Sequence, residues 1–154
     1  MTDAPGVVLT VSVADCVPVF IAAVKPVGGP ALALAHAGWR GMIGGIVGAA
    51  AASAAALGRL RLGVIGPSIG PCCFSVGDDV GRAFEGRFPG VWRGGHVDLW
   101  ECARRELHAG GLTEVHVCGI CTSCDRRFFS HRRDGGQTGR QAAMAWIVPN
   151  GRRT

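Results

Sequence analysis

Two short apolar runs, each ending abruptly in a polar motif, constrain most strongly what this chain can fold into. Residues 7–13 run directly into the tripeptide Ala14-Asp15-Cys16, and residues 31–35 run into the hexapeptide that begins at His36. Apolar runs of this length are typical of buried strands. In α/β folds, ligands bind where strands end and helices begin, so both motifs are predicted to lie at such an edge. A thiol and an imidazole are common zinc ligands and also form nucleophilic Cys–His pairs, and spacing alone leaves both chemistries open.

The alternation of strand-like and helix-like segments predicts an α/β fold. Strands are predicted over residues 7–13, 17–24, 31–36, 62–65 and 115–120, helices over 41–57, 78–88 and 98–108, and a last strand or short helix over 142–148. Asp98 is the expected N-cap of the last helix. Several connections are too short to contain a crossover helix, so the sheet is expected to be mixed rather than all parallel.

The chain has 154 residues, the usual size of one domain, so a single domain is expected over residues 1–154. Its formal net charge of +5 suits an anionic ligand such as phosphate or a nucleotide, although a modestly basic surface is common. Seven cysteines, an odd number, and a start without a targeting pattern favour reduced thiols in the cytoplasm. The uncharged stretch 41–57 is rich in Gly and Ala, so it is expected to be a helix packed closely on a sheet rather than a membrane span.

Other cysteines form two local patterns that could carry chemistry. A glycine-rich loop matches the G-x-S-x-G pattern only weakly and ends in vicinal Cys72 and Cys73. These two thiols are expected either to line a ligand site or to be buried as small apolar groups. Cys118-x2-Cys121-x2-Cys124 has the spacing of metal-binding cysteines but no fourth ligand at matching spacing, so structural cysteines are favoured. Cys118 is expected to be buried in a strand, which leaves Cys121 and Cys124 as the better metal ligands.

A basic segment late in the chain and one earlier arginine are predicted to bind anions. Residues 126–133 interleave arginines with two phenylalanines, a pattern that suits nucleic acid, a single phosphate or purine, or a solvated surface loop. Arg132 and Arg133 are the candidates within this segment. Arg40 lies beside the predicted start of a helix at Gly41, where free N–H groups and the helix dipole attract anions, although an exposed arginine is equally common there.

Six ordered motifs resemble those of the laccase-domain family, also called the polyphenol oxidase or purine nucleoside phosphorylase family. The motifs are Ala14-Asp15-Cys16-Val17-Pro18-Val19, Ala35-His36-Ala37-Gly38-Trp39-Arg40-Gly41, Gly66-Pro67-Ser68-Ile69-Gly70-Pro71-Cys72-Cys73, Val97-Asp98-Leu99-Trp100, Cys121-Thr122-Ser123-Cys124 and Phe128-Phe129-Ser130-His131-Arg132-Arg133-Asp134-Gly135. The resemblance spans nearly the whole chain, and six motifs in order are far more specific than one. It implies a mixed-sheet α/β sandwich related to the toxin-type Cys–His deamidase fold.

The resemblance implies a metal-dependent enzyme that acts on purine nucleosides. The implied activities are phosphorolysis of adenosine, inosine and related nucleosides, and deamination of adenosine, with nucleoside and phosphate as partners. Nucleic acid is not the expected partner. The family's metal is held by a cysteine and two histidines, of which Cys16 and His36 match the cysteine and one histidine; zinc is expected, with copper as the alternative. Copper-dependent oxidation of phenols is the alternative activity. The candidate substrate and phosphate contacts are Arg40, Cys72, Cys73, Arg132 and Arg133.

One family ligand has no counterpart in this sequence. The second family histidine lies N-terminal to the Asp-Cys motif, whereas this sequence begins fifteen residues before Cys16, so the domain is expected to be N-terminally short. Val13 also stands where the family usually has threonine. His131 is the best replacement ligand. Catalytic zinc usually takes three protein ligands, so this chain alone is predicted to be a weak or inactive catalyst, or a relative that only binds a ligand or partner.

Overall fold

The computed structural model describes residues 1–149, and within them the chain forms four helices and eight strands. The strands are β1 (Val8–Val13), β2 (Val17–Val24), β3 (Pro30–Ala37), β4 (Arg59–Ile65), β5 (Trp92–Arg93), β6 (His96–Val97), β7 (Val115–Val117) and β8 (Gln141–Trp146). The helices are α1 (Trp39–Ile43), α2 (Ile46–Ala55), α3 (Asp78–Arg87) and α4 (Leu99–Ala109).

The main sheet has four strands in the order β3-β2-β4-β7. Strand β2 pairs antiparallel with β3 on one side and with β4 on the other, and β7 pairs parallel with β4. A short turn suffices between β2 and β3, whereas the parallel pair is connected through α3 and α4. The sheet is therefore mixed, which confirms the predicted α/β class.

A second sheet joins the two ends of the described chain. Strand β1 pairs antiparallel with β8, from Val8 opposite Trp146 to Val13 opposite Gln141. This pairing brings the basic segment that precedes β8 next to the corner that follows β1. The sheet therefore builds one region of the fold from two distant parts of the sequence.

The core lies between the main sheet and the helices. Ala33, Ala35 and Ala37 alternate along β3, are buried, and belong to the same apolar cluster as Ala51 and Ala54 of α2. Alanine side chains let the helix lie close on the sheet, as the composition of this stretch predicts. Within residues 1–149, no helix is long and apolar enough to cross a membrane.

The single helix predicted over residues 41–57 is wrong, because the structure has the two helices α1 and α2 with Gly44-Gly45 between them. Gly45 has a φ of +81°, a left-handed conformation that favours glycine and interrupts the helix. Space is also limited there, since a Cβ on Gly45 would lie 2.9 Å from Arg87 Nη2. The first helix begins at Trp39, so Arg40 lies inside α1 rather than beside a helix that starts at Gly41.

Residues 92–97 form the hairpin β5–β6. Gly94 and Gly95 both have positive φ, which is the requirement of the two-residue turn that links such strands. Asp98 caps α4 as predicted, since its carboxylate accepts a hydrogen bond from the Glu101 N–H at 3.0 Å. The segment predicted over residues 142–148 as a strand or short helix forms the strand β8. The strand predicted over residues 115–120 is shorter in the structure, where it is β7.

Candidate active site

A cavity of about 600 Å³ opens where β3 ends and β2 begins. Cys16 and His36 both line it, together with Asp15, His131 and Arg132. Two of the motifs singled out in the sequence, and the basic segment far from them along the chain, therefore meet at one edge of the main sheet. This is the position at which α/β folds commonly bind small molecules.

The positions of Cys16 and His36 follow from the pairing of β2 with β3. His36 lies opposite Pro18, two residues beyond Cys16, in the antiparallel register. Gly38 leaves room for the thiol, because a Cβ there would lie 3.2 Å from Cys16 Sγ. Burial, followed by the carboxylate of Asp15, raises the pKa of the Cys16 thiol. A cation bound at the sulfur would therefore be needed to favour the thiolate at neutral pH.

The donor atoms of Cys16 and His36 fit zinc in type, since thiolate and imidazole are its usual ligands and also bind copper. A catalytic zinc site usually has three protein ligands and one open position. Within residues 1–149, no third His, Cys, Asp or Glu joins Cys16 and His36 in a compact ligand group. His131 lines the same cavity without completing such a group. In donor type, the cavity therefore supplies two of the ligands that a metal would need.

Asp15 is a buried carboxylate that connects the segments around Cys16. Its Oδ1 accepts a hydrogen bond from the Thr122 hydroxyl at 2.6 Å. Its Oδ2 accepts hydrogen bonds from the Ser130 hydroxyl at 3.0 Å and from the Arg132 backbone N–H at 2.7 Å. The φ of Asp15 is +80°, which aspartate tolerates better than most residues. With three donors on its two oxygens, Asp15 is placed to hold the corner before Cys16 in shape.

Arg132 and Arg140 line the cavity and supply its positive charge. The side chain of Arg132 is fixed by Ser75, since its Nη1 donates to the Ser75 carbonyl oxygen at 2.9 Å and to Ser75 Oγ at 2.7 Å. Its guanidinium carbon also lies 5.3 Å from the centroid of the Phe74 ring. Because these contacts already fix the arginine side chain, the binding of an anion does not have to order it. The entropic cost of binding is lower for that reason.

Two other predicted phosphate contacts lie outside the cavity wall. Arg133 donates to the carbonyl oxygens of Thr122 at 3.0 Å and Phe128 at 2.9 Å, so it braces the loop that contains it. The guanidinium of Arg40 stacks on Trp39, 4.2 Å from the ring centroid, and is not among the cavity-lining residues. The anion-binding role of both arginines stays a prediction.

The rest of the cavity wall is largely apolar. Trp39, Ile69, Phe74, Val80 and Leu99 contribute to it. An apolar wall with two aromatic rings beside a few polar groups is typical of sites for flat, partly polar molecules. The arrangement suits a ligand with an aromatic ring at one end and an anionic or hydroxylated group at the other.

Cys72 and Cys73 are not among the residues that line this cavity, but meet Cys121 and Cys124 in a second group. The four sulfur atoms all lie within 4.8 Å of one another. Burial acts to raise the pKa of Cys121, but hydrogen bonds from the backbone N–H groups of Gly70 and Cys124 and from neighbouring thiols lower it to about 7. The two cysteine patterns that the sequence presents separately are thus one cluster in space.

Some features of the site lie beyond the sequence reasoning. Cys118 is exposed, so its predicted burial is wrong, because β7 ends at Val117. Arg140 also lines the cavity but is not predicted from the sequence. The signal that could have found it is the pairing of β1 with β8, since the residue just before β8 must lie near the end of β1.

The sequence profile of a family described as multi-copper polyphenol oxidoreductase laccase matches residues 1–148. The chain belongs to this family. This laccase-domain chain is 40% identical to a purine nucleoside phosphorylase of Xylella fastidiosa (strain 9a5c), covering 96% of its own length and 59% of the relative. It is 33% identical to purine nucleoside phosphorylase YfiH of Escherichia coli (strain K12), covering 96% of its length and 62% of the relative.

Solved structures confirm the laccase-domain fold. The crystal structure of YlmD from Geobacillus stearothermophilus superposes with a TM-score of 0.83 at 38% identity, covering 96% of this chain and 59% of that one. A Neisseria meningitidis protein superposes with a TM-score of 0.80 at 34% identity, covering 96% and 63%. The chain thus spans about three fifths of the length of these relatives.

Proposed function

We propose that the cavity around Cys16 and His36 binds a purine nucleoside and phosphate and cleaves the nucleoside by phosphorolysis. The observation that carries the proposal is that one cavity combines a thiol and an imidazole, two arginines and aromatic walls. Relatives named purine nucleoside phosphorylase support the same substrate class. Adenosine and inosine are the substrates proposed, with deamination of adenosine as a second reaction of the same site.

Phosphorolysis requires an anion site next to the sugar. A phosphate oxygen attacks C1′ of the ribose, the C1′–N9 bond breaks, and the products are ribose 1-phosphate and the free purine base. Arg132 and Arg140 would neutralise the phosphate charge through charge-assisted hydrogen bonds. Trp39 and Phe74 would contact the base. Because the base leaves with the bonding electron pair, it needs a proton, and His131 on the same wall would donate it.

Cys16 and His36 would hold zinc, with copper as the alternative. Bound zinc would supply a Lewis acid that polarises an oxygen atom of substrate or water. Asp15 would contribute by fixing the corner from which Cys16 projects. Since the described residues provide two ligands, we expect zinc to bind here more weakly than at a site with three protein ligands.

The test measures ribose 1-phosphate formed from inosine and adenosine by the zinc-loaded chain as phosphate is varied. We expect turnover to be slow, because the described residues provide two metal ligands. Cys16→Ala should abolish it, and Arg140→Ala should raise the KM for phosphate about tenfold or more, the effect of losing one charge-assisted hydrogen bond. Arg59→Ala is the matched control, because it removes the same charge from an exposed position of β4 that does not line the cavity. Equal effects of the two arginine substitutions would contradict the proposed phosphate position.

Each alternative function predicts a different measurable result for the same chain. A relative that only binds its ligands would show a phosphate- and nucleoside-dependent rise in melting temperature without product. A copper-dependent phenol oxidase would consume oxygen with a phenol and copper, whatever the phosphate concentration. Phosphate-independent release of ammonia from adenosine would leave deamination as the reaction of the site. Absence of both product and a ligand-induced melting shift would refute the proposal.

A further inference from the structure

We propose that Cys72, Cys73, Cys121 and Cys124 bind one zinc ion in a four-thiolate structural site that is separate from the substrate cavity. Cys124 Sγ lies 3.6 Å from Cys72 Sγ and 3.4 Å from Cys73 Sγ, and all four sulfurs lie within 4.8 Å of one another. A tetrahedral zinc with Zn–S bonds of about 2.3 Å requires sulfurs about 3.8 Å apart. The cluster therefore has the size of a four-cysteine zinc site before any metal is added.

The backbone holds the two cysteine pairs in turns that face each other. The N–H groups of Cys124 and Asp125 donate to the Cys121 carbonyl oxygen at 3.2 and 3.0 Å, which forms the tight turn of a Cys-x2-Cys ligand pair. The N–H groups of Cys73 and Phe74 both donate to the Gly70 carbonyl oxygen at 3.0 Å. The second turn thus presents its thiols next to the first.

Backbone and side-chain donors also suit the charge of a thiolate cluster. The Gly70 N–H donates to Cys121 Sγ at 3.2 Å, the kind of hydrogen bond that orients and stabilises metal-bound sulfur. Arg132 Nη1 donates to the Cys73 carbonyl oxygen at 3.2 Å, and Arg133 Nη1 donates to that of Thr122 at 3.0 Å. Two guanidinium groups are therefore bound to the same turns as the four sulfurs. They would offset the negative charge that four thiolates bring to one zinc ion.

A disulfide explains this geometry less well. A disulfide joins two sulfurs at about 2.05 Å, and would leave the other two thiols of the group without a partner. Here Cys124 approaches both Cys72 and Cys73 at similar distances, while Cys121 is buried beneath them. One ion that contacts all four sulfurs accounts for their common convergence, whereas one disulfide accounts for a single pair.

Zinc bound by the four cysteines would crosslink two loops beside the substrate cavity. The loop that carries Cys72 and Cys73 also supplies Ile69 and Phe74 to the cavity wall. The turn that carries the other two ligands contains Thr122, whose hydroxyl belongs to the hydrogen-bond network that supports the cavity. The inference concerns structure and metal content, so it does not rest on the proposed function.

The experiment measures zinc in the full chain, prepared under reducing conditions, in a His36→Ala background that disables the cavity site. We expect one equivalent of zinc per chain, a chelator-dependent loss of about 5–10 °C in melting temperature, and sulfur-to-cobalt charge-transfer absorption on cobalt substitution. Cys124→Ser should lower the zinc affinity on the order of 100-fold or more, because loss of a ligand exceeds the 10–100-fold effect of outer-shell changes. Cys118→Ser is the matched control, since Cys118 is exposed on the same segment outside the cluster.

Cys124 is exposed, so its substitution is expected to leave a folded protein, and Cys72→Ser serves as a second exposed variant. Equal zinc affinity of Cys124→Ser, Cys118→Ser and the parent would overturn the proposal. Failure of the reduced chain to take up zinc would also overturn it, as would a Cys72–Cys124 or Cys73–Cys124 disulfide that persists after reduction and zinc loading. None of these outcomes depends on nucleoside cleavage.

Discussion

Asp15→Ala should be one of the most damaging single substitutions in this protein. It removes the acceptor of the Thr122 and Ser130 hydroxyls and of the Arg132 backbone N–H. Both hydroxyl residues have relative exposures of 0%, so water does not readily replace the carboxylate. Each buried donor left without an acceptor costs about 1–3 kcal/mol, and the positive φ of residue 15 costs alanine about 1–2 kcal/mol.

These contributions predict a loss of about 4–6 kcal/mol in the free energy of unfolding, allowing for the two hydroxyls to rotate toward other acceptors. For a domain of this size, 1 kcal/mol corresponds to about 2–4 °C, so the melting temperature should fall by about 10–20 °C. Asp15→Asn is the matched control. Its carbonyl oxygen can accept from Arg132 and Ser130, its NH2 group can donate to Thr122 Oγ1, and asparagine tolerates positive φ. We expect it to cost about 1–2 kcal/mol, the difference between charged and neutral hydrogen bonds.

Urea unfolding of both variants, with the parent chain measured under the same reducing conditions, provides the free energies. The hydrogen-bond argument requires alanine to be much worse than asparagine. Equal losses would show that the charge of Asp15, rather than its acceptor geometry, supports the corner. A loss below about 1 kcal/mol for Asp15→Ala would refute the argument altogether. Thr122→Val in the Asp15→Ala background should recover part of the loss, because it removes one of the unpaired donors.

Two further substitutions test packing and electrostatics away from the cavity. Gly81→Ala should destabilise the folded protein by about 1–3 kcal/mol in urea unfolding, because a Cβ there would overlap the Trp92 indole. Gly86→Ala on the same helix is the control. Its Cβ meets nothing within 4 Å, so it should be neutral or stabilising by up to about 1 kcal/mol. The Arg104 side chain, followed by Arg105, lowers the pKa of Glu101 to about 2. Glu101→Gln should therefore destabilise at pH 7, and the deficit should vanish as pH falls from about 4.5 toward about 2, the interval between the unfolded and folded pKa values.

The results that would contradict these two expectations are specific. Equal stabilities of the two glycine variants would mean that Trp92 moves aside at little cost. A stability difference between Glu101→Gln and the parent that grows on acidification would reverse the sign required by a lowered pKa. Urea unfolding of the two glycine variants measures the first difference in stability. Thermal unfolding of Glu101→Gln and the parent at several pH values measures the second.

The sequence predicts the parts of the fold that local patterns encode. Strand β2 matches its predicted bounds because its apolar run is bounded by a polar corner and a Pro-Gly turn. The start of α4 follows from Asp98, whose side chain suits an N-cap. The break between α1 and α2 is not predicted, because Gly44-Gly45 lies within a stretch whose small residues suit one continuous helix surface. Nothing in that composition indicates that Gly45 adopts a positive φ, which is the feature that separates the helices.

The candidate site is predictable only where it depends on neighbouring strands. Cys16 and His36 reach one cavity through the pairing of β2 with β3, two strands joined by a short turn. Arg140 reaches it through the pairing of β1 with β8, and these strands lie at opposite ends of the described chain. Apolar alternation identifies such strands but does not specify which distant strand pairs with which. The same limit explains why the sequence presents the members of the four-cysteine cluster only in two separate patterns.

Thr122 is one physical connection between the cluster and the cavity. Thr122 lies between Cys121 and Cys124 in the Cys-x2-Cys turn, and its hydroxyl donates to Asp15, which directly precedes Cys16. A shift of that turn would move the Thr122 hydroxyl away from the carboxylate and loosen the corner that carries the cavity thiol. Residues joined in one hydrogen-bond network do not contribute independently to stability. Metal content at the four cysteines and the geometry of Cys16 should therefore change together, although the two sites do not share a ligand.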